Sequence, residues 1–363
     1  MSGPTAPRAA RRPGGRRTGR ARRVRALLLA GALLLPLGTA GPAAAESGAA
    51  GPAAESGAVT VAARADDGAR ITRVERLGDR VFDLMVASPA MRATLPVRVI
   101  LPWGWRQTSS RTYPVLYLLQ GAADDYTSWT RETDVEELSD GADVLVVMPE
   151  GGRAGFYTDW WDHGRSTAPR WETFHTVELR QLVERVLRGG DARAVVGLSE
   201  GGLGALNYAA RHPGVYRFAG SLSGIVDISD PLMRLFIAGT CLREHIDPVR
   251  LWGLPTRQRR IWDAHNPSRM VSRFKGTWVH LYAASGAPGG LEDTLNPAGS
   301  LLERPLGPPT RAFAGALRRA GVRVTTRLFG PGTHSWPYWQ RELHRIWPSV
   351  LTALVTPAGG GRP

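Results

Sequence analysis

The chain has 363 residues, 46 Lys and Arg against 32 Asp and Glu, a formal charge of +14 and one cysteine, Cys241. That length can bury one sizeable core, and a single cysteine excludes both an internal disulfide framework and a cysteine metal cluster. Nine of the fourteen net positive charges lie between Arg8 and Arg25, leaving +5 elsewhere, and Lys275 is the only lysine. A mildly basic remainder does not describe a phosphate-binding face, so no nucleic-acid partner is expected.

The basic segment runs into "ALLLAGALLLPLG" (26–38), too short to span a bilayer, and then into "GPAAAES". This is the order of a secretory signal over residues 1–45, cleaved near Ala45, and it predicts a secreted or cell-wall-associated product with no stable membrane span. A nucleic-acid arm would not need an apolar segment directly behind its arginines. Arg22 and Arg23 suggest twin-arginine export, but Arg25 stands where such signals prefer an apolar residue, so Sec and Tat both stay open. Residues 46–66, rich in Ala, Gly, Ser and Glu, read as a flexible lead-in, residues 67–355 as one catalytic domain, and 356–363 as a flexible tail.

Within the domain, "RVFDLMVA" and "LPVRVILP" open as strands, followed by "PVLYLL" (114–119) and "DVLVVMP" (143–149). The last two are apolar nearly throughout, the pattern of strands buried on both faces of a parallel sheet. Helical spacing follows at Phe174, Val177, Leu182, Val186 and Leu187, then the strand "ARAVVGL" and the helix "EGGLGALNYAARHP". Further on, "GTWVHLYAA" and "GVRVTTRLF" read as strands around the helix "PTRAFAGALRRAG". The alternation predicts an α/β domain, a mostly parallel central sheet with helices on both faces.

One junction carries chemistry. Gly197-Leu198-Ser199-Glu200-Gly201 is a Gly-x-Ser-x-Gly pentapeptide set between a strand and a helix, the setting of a nucleophile elbow. The new helix presents unpaired N–H groups, so the N–H of Glu200 is the first candidate oxyanion donor. A serine nucleophile needs a base and an acid downstream, in the order Ser, acid, His. Of the six histidines after Ser199, His334 alone lies in a Gly/Pro loop directly behind the last predicted strand; His212, at a helix end, and His280, inside a strand, read as structural. For the acid, Glu292, Asp293 and Glu303 all fall between the strand "GTWVHLYAA" and the last predicted helix, and spacing does not choose among them.

The stretches "VASPAMRATLPVRV", "YLLQGAADDYTSW", "VVMPEGGRAGFYTDWW", "RWETF", "AVVGLSEGGLGAL", "AGSLSGIVD", "LLERPLGPPTRAFAGAL" and "GTHSWPYW" go further. Through them the chain resembles the antigen 85 mycolyltransferases and the wider esterase D group of α/β-hydrolases. FYTDW, WETF and GTHSW are the specific matches, whereas the serine pentapeptide is generic. The resemblance implies an α/β-hydrolase fold with Ser199 as nucleophile, His334 as base and Glu303 as acid. It also implies a second oxyanion donor at Ala122, behind Gly121. Gln120, at the end of that strand, and Ser335 and Trp336, next to His334, are the candidate substrate contacts.

Three departures stand out. Gln120 replaces an aspartate, "GAADDY" replaces a longer arginine-bearing loop, and Glu200 replaces a methionine, adding an ionisable side chain at the helix N-terminus and the pocket rim. The first two remove features that help hold trehalose in the mycolyltransferases.

The expected activity is acyl-ester hydrolysis or acyl transfer through an acyl-enzyme, on a small-molecule or lipid ester with water or an alcohol as acceptor. No cofactor or metal is expected, because serine acyl transfer needs none. Trp160, Trp161 and Trp171 read as core, Tyr157 and Asp159 as hydrogen-bonding at the sheet's edge, and Glu150 and Asp162 as surface or loop carboxylates. The rival reading is a secreted, non-catalytic adhesin on the same fold, which would not require Ser199, Glu303 and His334 to stand in order.

Overall fold

A computed structural model of the chain describes Met1, Gly3 and residues 61–167, 169–292 and 295–355. The expected signal segment, the lead-in up to residue 60, Asp293 and the tail lie outside the described residues. Residues 61–66, expected as part of the flexible lead-in, are packed: Ala65 is buried, and Asp66 takes Arg185 as an ion pair while its N–H donates to Gln181 Oε1 at 2.8 Å.

Nine strands are described: β1 (Arg70–Arg76), β2 (Val81–Ser88), β3 (Ala93–Ile100), β4 (Tyr113–Leu119), β5 (Leu145–Pro149), β6 (Gly189–Leu198), β7 (Phe218–Leu222), β8 (Trp278–Ala283) and β9 (Val324–Leu328). They form one sheet in the order β1-β2-β3-β5-β4-β6-β7-β8-β9. Pairing is antiparallel from β1 to β5 and parallel from β5 through β4 to β9.

The apolar run of β4 explains both layers. Leu116 and Leu118 join Val196 and the helix Trp336–Val355, through Leu343, Ile346 and Val350, on one face. Val115, Tyr117 and Leu119 join Leu182, Val183, Leu203 and Leu206 on the other. Successive side chains on a strand point to opposite faces, so a strand between two helical layers must be apolar at every position. Full burial of each such leucine or valine contributes about 1.5–3 kcal/mol.

Two expectations change. Val177 is exposed and Glu178 is buried, because Phe174–Leu179 form a π-helical turn. Its wider turn shifts the buried face away from the 3.6-residue spacing read from the sequence. Asp162, expected as a surface or loop carboxylate, is buried and takes Arg250 at 2.6 Å and Thr167 Oγ1 at 2.9 Å; Arg250, with the Thr167 hydroxyl, keeps its carboxyl below the usual range.

Candidate active site

The C-terminal ends of β4, β6, β7, β8 and β9 converge on one side of the sheet, where open α/β folds bind ligands. β6 ends at Leu198, and the helix Glu200–Arg211 begins two residues later. Between them Ser199 has φ +53° and ψ −117°, a conformation that costs on the order of 1–3 kcal/mol and persists only where its surroundings impose it. They do: the Ser199 N–H donates to Leu222 O at 2.8 Å, and neither flanking glycine has room for a side chain. A Cβ on Gly197 would lie 2.1 Å from Gly201 O, and one on Gly201 would lie 2.4 Å from Gln120 O.

Ser199 Oγ lies 2.9 Å from His334 Nε2, and His334 Nδ1 lies 2.8 Å from Glu303 Oε2. Residues 135 apart in sequence meet because β9 delivers the loop before His334 beside the end of β6. The His334 N–H donates to Gly299 O at 3.1 Å, fixing that loop to the helix Pro297–Glu303, whose last residue is Glu303. Glu303 is fully buried and its second oxygen is satisfied too: Oε1 accepts from Ser223 Oγ at 2.8 Å and from the Ala284 N–H at 2.7 Å. A buried carboxylate with both oxygens engaged is held in one orientation and aims Oε2 at the imidazole.

Glu292 has a different task. Its Oε1 accepts from Thr333 Oγ1 at 2.6 Å, Ser335 Oγ at 2.7 Å and Asn296 Nδ2 at 3.0 Å, so it braces the loop on either side of His334 without touching the ring. Burial opposes its charge, but these donors outweigh burial and hold its carboxyl below the usual range.

Ser199 and His334 open onto a cleft of about 550 Å³. Its walls come from the helix Pro231–Arg243, through Leu232, Met233, Leu235 and Phe236, and from Leu301, Leu302, Pro305 and Leu306 opposite. Asp230 caps the first of these helices by accepting from the N–H groups of Leu232 and Met233. Arg304 and His334 are the cleft's ionisable lining residues. Such a lining suits an aliphatic chain ending in a polar group at Ser199.

Residues 88–350 match the Esterase family. Diacylglycerol acyltransferase/mycolyltransferase Ag85B of Mycobacterium leprae is 32% identical over 293 residues, 77% of this chain and 86% of that protein. Ag85A of Mycobacterium tuberculosis is 32% identical over 79% of this chain and 86% of its own length. The chain belongs to the Esterase family. As a member it is an enzyme of the acyl-ester hydrolase and acyltransferase class. Among solved structures, MPT51 of M. tuberculosis superposes with a TM-score of 0.63 at 25% identity, covering 78% of this chain and 99% of that one. An S-formylglutathione hydrolase from Agrobacterium tumefaciens, at 17% identity and a TM-score of 0.60, shares the α/β-hydrolase fold.

Several residues of this Esterase-family chain stand elsewhere than the sequence suggested. Gln120, expected to contact substrate, is buried and turned into its own loop, with Nε2 donating to Asp124 O at 2.7 Å and to Glu150 Oε1 at 3.4 Å. Ser335 is turned to Glu292, and Trp336 packs edge-on against Trp129 at 5.3 Å and Trp339 at 5.4 Å; neither lines the cleft. Glu200 is not at the rim. Its carboxyl is buried, Oε1 accepts from the Phe156 N–H at 2.7 Å, and burial pushes its pKa up to about 8. Tyr157 donates to Gln120 O at 2.9 Å at the end of a central strand, and Asp159 accepts from the Thr173 N–H at 2.9 Å, so neither serves the sheet's edge. Trp160 and Trp171 are core, Trp161 is half-buried, and Glu150 is a half-buried loop carboxylate that accepts from the Gly152 N–H at 2.7 Å. His212 meets Glu172 at 2.8 Å and His280 meets Thr325 at 2.9 Å, both away from the cleft lining.

Two residues near the triad escaped the sequence reading. Ser223, at φ +53° just beyond β7, donates to Glu303 and accepts from Trp339 Nε1 at 3.1 Å. The Trp339 ring stands edge-on to His334 with centroids 4.9 Å apart. The small-residue run "FAGSL" was the available signal for β7 and hence for Ser223.

Proposed function

We propose that the chain is a secreted serine acyl-ester hydrolase and acyltransferase that works through an acyl-enzyme on Ser199. The observation that carries this reading is the continuous chain Ser199–His334–Glu303, at 2.9 and 2.8 Å, opening onto an apolar cleft. Ser199 Oγ attacks the ester carbonyl as His334 Nε2 takes its proton, and Glu303 stabilises the imidazolium. The carbonyl oxygen gains the negative charge and is received by the N–H groups of Glu200 and Ala122. Collapse expels the alcohol, which leaves with the proton from His334. Water, or a second alcohol, then gives its proton to His334 as it attacks the acyl carbonyl, and collapse breaks the bond to Ser199 Oγ, which takes the proton back from His334 and releases the acid or the new ester.

The acyl chain lies between the helix Pro231–Arg243 and the Leu301–Leu306 wall. Each methylene buried there contributes about 0.8 kcal/mol, roughly a fourfold gain in kcat/KM per carbon until the cleft is filled. The burial of Gln120 inside its loop, with the short "GAADDY" beside it, supports water or a simple alcohol as acceptor over a disaccharide. The leader sequence supports export. Among the described residues no helix is long and apolar enough to cross a membrane.

The test is a panel of p-nitrophenyl esters from acetate to palmitate, run with and without trehalose, glycerol and short alcohols, with acyl products followed by mass spectrometry. The reading expects rising kcat/KM beyond acetate and free acid or simple alkyl ester as product. A lack of turnover on every ester, with no labelling by a fluorophosphonate, would leave the adhesin reading.

A further inference from the structure

The side chain of Glu200 has no place in the acyl-transfer steps, yet it is buried beside the nucleophile. Its Oε1 accepts from the Phe156 N–H at 2.7 Å, and Oε2 has no hydrogen-bond partner. Phe156 and Tyr157 both have positive φ, +53° and +52°, so the loop around them is held in a conformation that non-glycine residues adopt only under constraint. The same loop grips the other side of the site. Tyr157 OH donates to Gln120 O at 2.9 Å, and Arg153 O accepts from the Ala123 N–H at 2.8 Å. Gln120 and Ala123 flank the Gly121-Ala122 step on either side.

We infer that Glu200 is a positioning residue: by tying loop 151–157 to the nucleophile elbow, its carboxyl sets the spacing between the N–H groups of Glu200 and Ala122. The inference rests on the oxyanion reading proposed above. One loop thus joins the two segments that would carry the donors, and Glu200 is its attachment on the elbow side. An oxyanion hole depends on donors fixed before the charge develops, so a loosened attachment costs turnover more than ground-state binding.

The groups around this carboxyl support a proton-dependent version of the same role. Tyr157 faces it from the loop side, Cys241 and Arg243 from the helix Pro231–Arg243, and Glu244 from the residue that caps that helix. Burial is the largest influence and keeps the acid protonated at neutral pH. Ionisation would place a buried negative charge on the residue whose own N–H meets the developing oxyanion, and like charges oppose each other strongly where water is excluded.

The test compares Glu200→Met, which removes the acceptor at similar volume, with Glu200→Gln, which keeps a carbonyl oxygen for Phe156. Glu200→Met is expected to lower kcat on p-nitrophenyl butyrate between about tenfold and a hundredfold, with KM within about twofold. Glu200→Gln is expected to recover most of that loss, and to remove a fall in kcat that the wild type shows between pH 7 and 9. Thermal melts on each variant separate this from simple unfolding. A Glu200→Met kcat equal to wild type, or the same decline with pH in Glu200→Gln, overturns the inference while leaving the triad intact. Absence of fluorophosphonate labelling at Ser199 in the wild type overturns the triad reading instead.

Discussion

Glu303→Gln separates an acid that orients His334 from one that merely fills space. Glu303 Oε1 accepts from the Ala284 backbone N–H, a donor that cannot reverse, so the amide oxygen of a glutamine must remain there. The NH2 group then faces His334 Nδ1, 2.8 Å away, and can only donate to it. Neutral His334 is thereby forced to carry its proton on Nε2, the atom that has to accept the proton of Ser199. The equivalent aspartate-to-asparagine change in a serine-protease triad lowers kcat about 10⁴-fold, equivalent to about 5.5 kcal/mol of transition-state stabilisation. Glu292→Gln keeps an oxygen for Thr333, Ser335 and Asn296 and leaves His334 alone, so it should stay within about tenfold of wild type. The assay is kcat/KM on p-nitrophenyl butyrate, with circular dichroism melts to verify that both variants fold. A Glu303→Gln variant with more than a tenth of wild-type activity, or a Glu292→Gln variant equally impaired, would refute the assignment of the acid.

The remaining predictions concern the elbow, the cleft and pH. Gly201→Ala forces a Cβ to within 2.4 Å of the Gln120 and Leu119 carbonyl oxygens and should cost about 1–3 kcal/mol, whereas Gly239→Ala, with open space in the helix Pro231–Arg243, should gain up to about 1 kcal/mol. Equal melting-temperature shifts for the two would show that the elbow is not tightly packed. Leu302→Trp, in the cleft wall, should depress kcat/KM for long acyl esters more than for acetate; parallel losses on both would place the acyl chain elsewhere. For pH, Glu200 keeps its proton up to about 8 when folded, against 4.5 for an unperturbed glutamate. Between those values the folded state binds more protons than the unfolded state, so this group's stabilisation is full below about 4.5, declines as pH rises, and is gone above about 8. The span corresponds to on the order of 5 kcal/mol, and denaturant unfolding of Glu200→Gln should show a correspondingly shallower decline across that window.

The sheet was legible where burial on both faces leaves an unbroken apolar run, as in β4, β5 and β6. It was not legible at β1, whose burial is confined to Ile71, so no alternation marks it. The helix Trp336–Val355 begins under Pro337 and contains Pro348, residues that ordinarily end helices. Pro337 sits in the first turn, where its missing N–H costs nothing. At the site, strand, turn and loop signals singled out Ser199 and His334 because local chemistry dictates them. The acid did not follow from spacing, because three carboxylates share one stretch and only the fold brings Glu303 to the imidazole while turning Glu292 to Thr333 and Ser335. Glu200 misled for the same reason: a charged residue at a helix start reads as exposed, and the loop that covers it comes from residues 151–157.

The central claim is that Ser199 is acylated. Intact-protein and peptide mass spectrometry after a brief exposure to a fluorophosphonate or to p-nitrophenyl butyrate tests it directly. One adduct per chain on the peptide containing Ser199, absent from Ser199→Ala and slowed severalfold or more in His334→Ala, is the predicted result. Equal labelling of Ser199→Ala, or an adduct confined to another residue, would contradict the account.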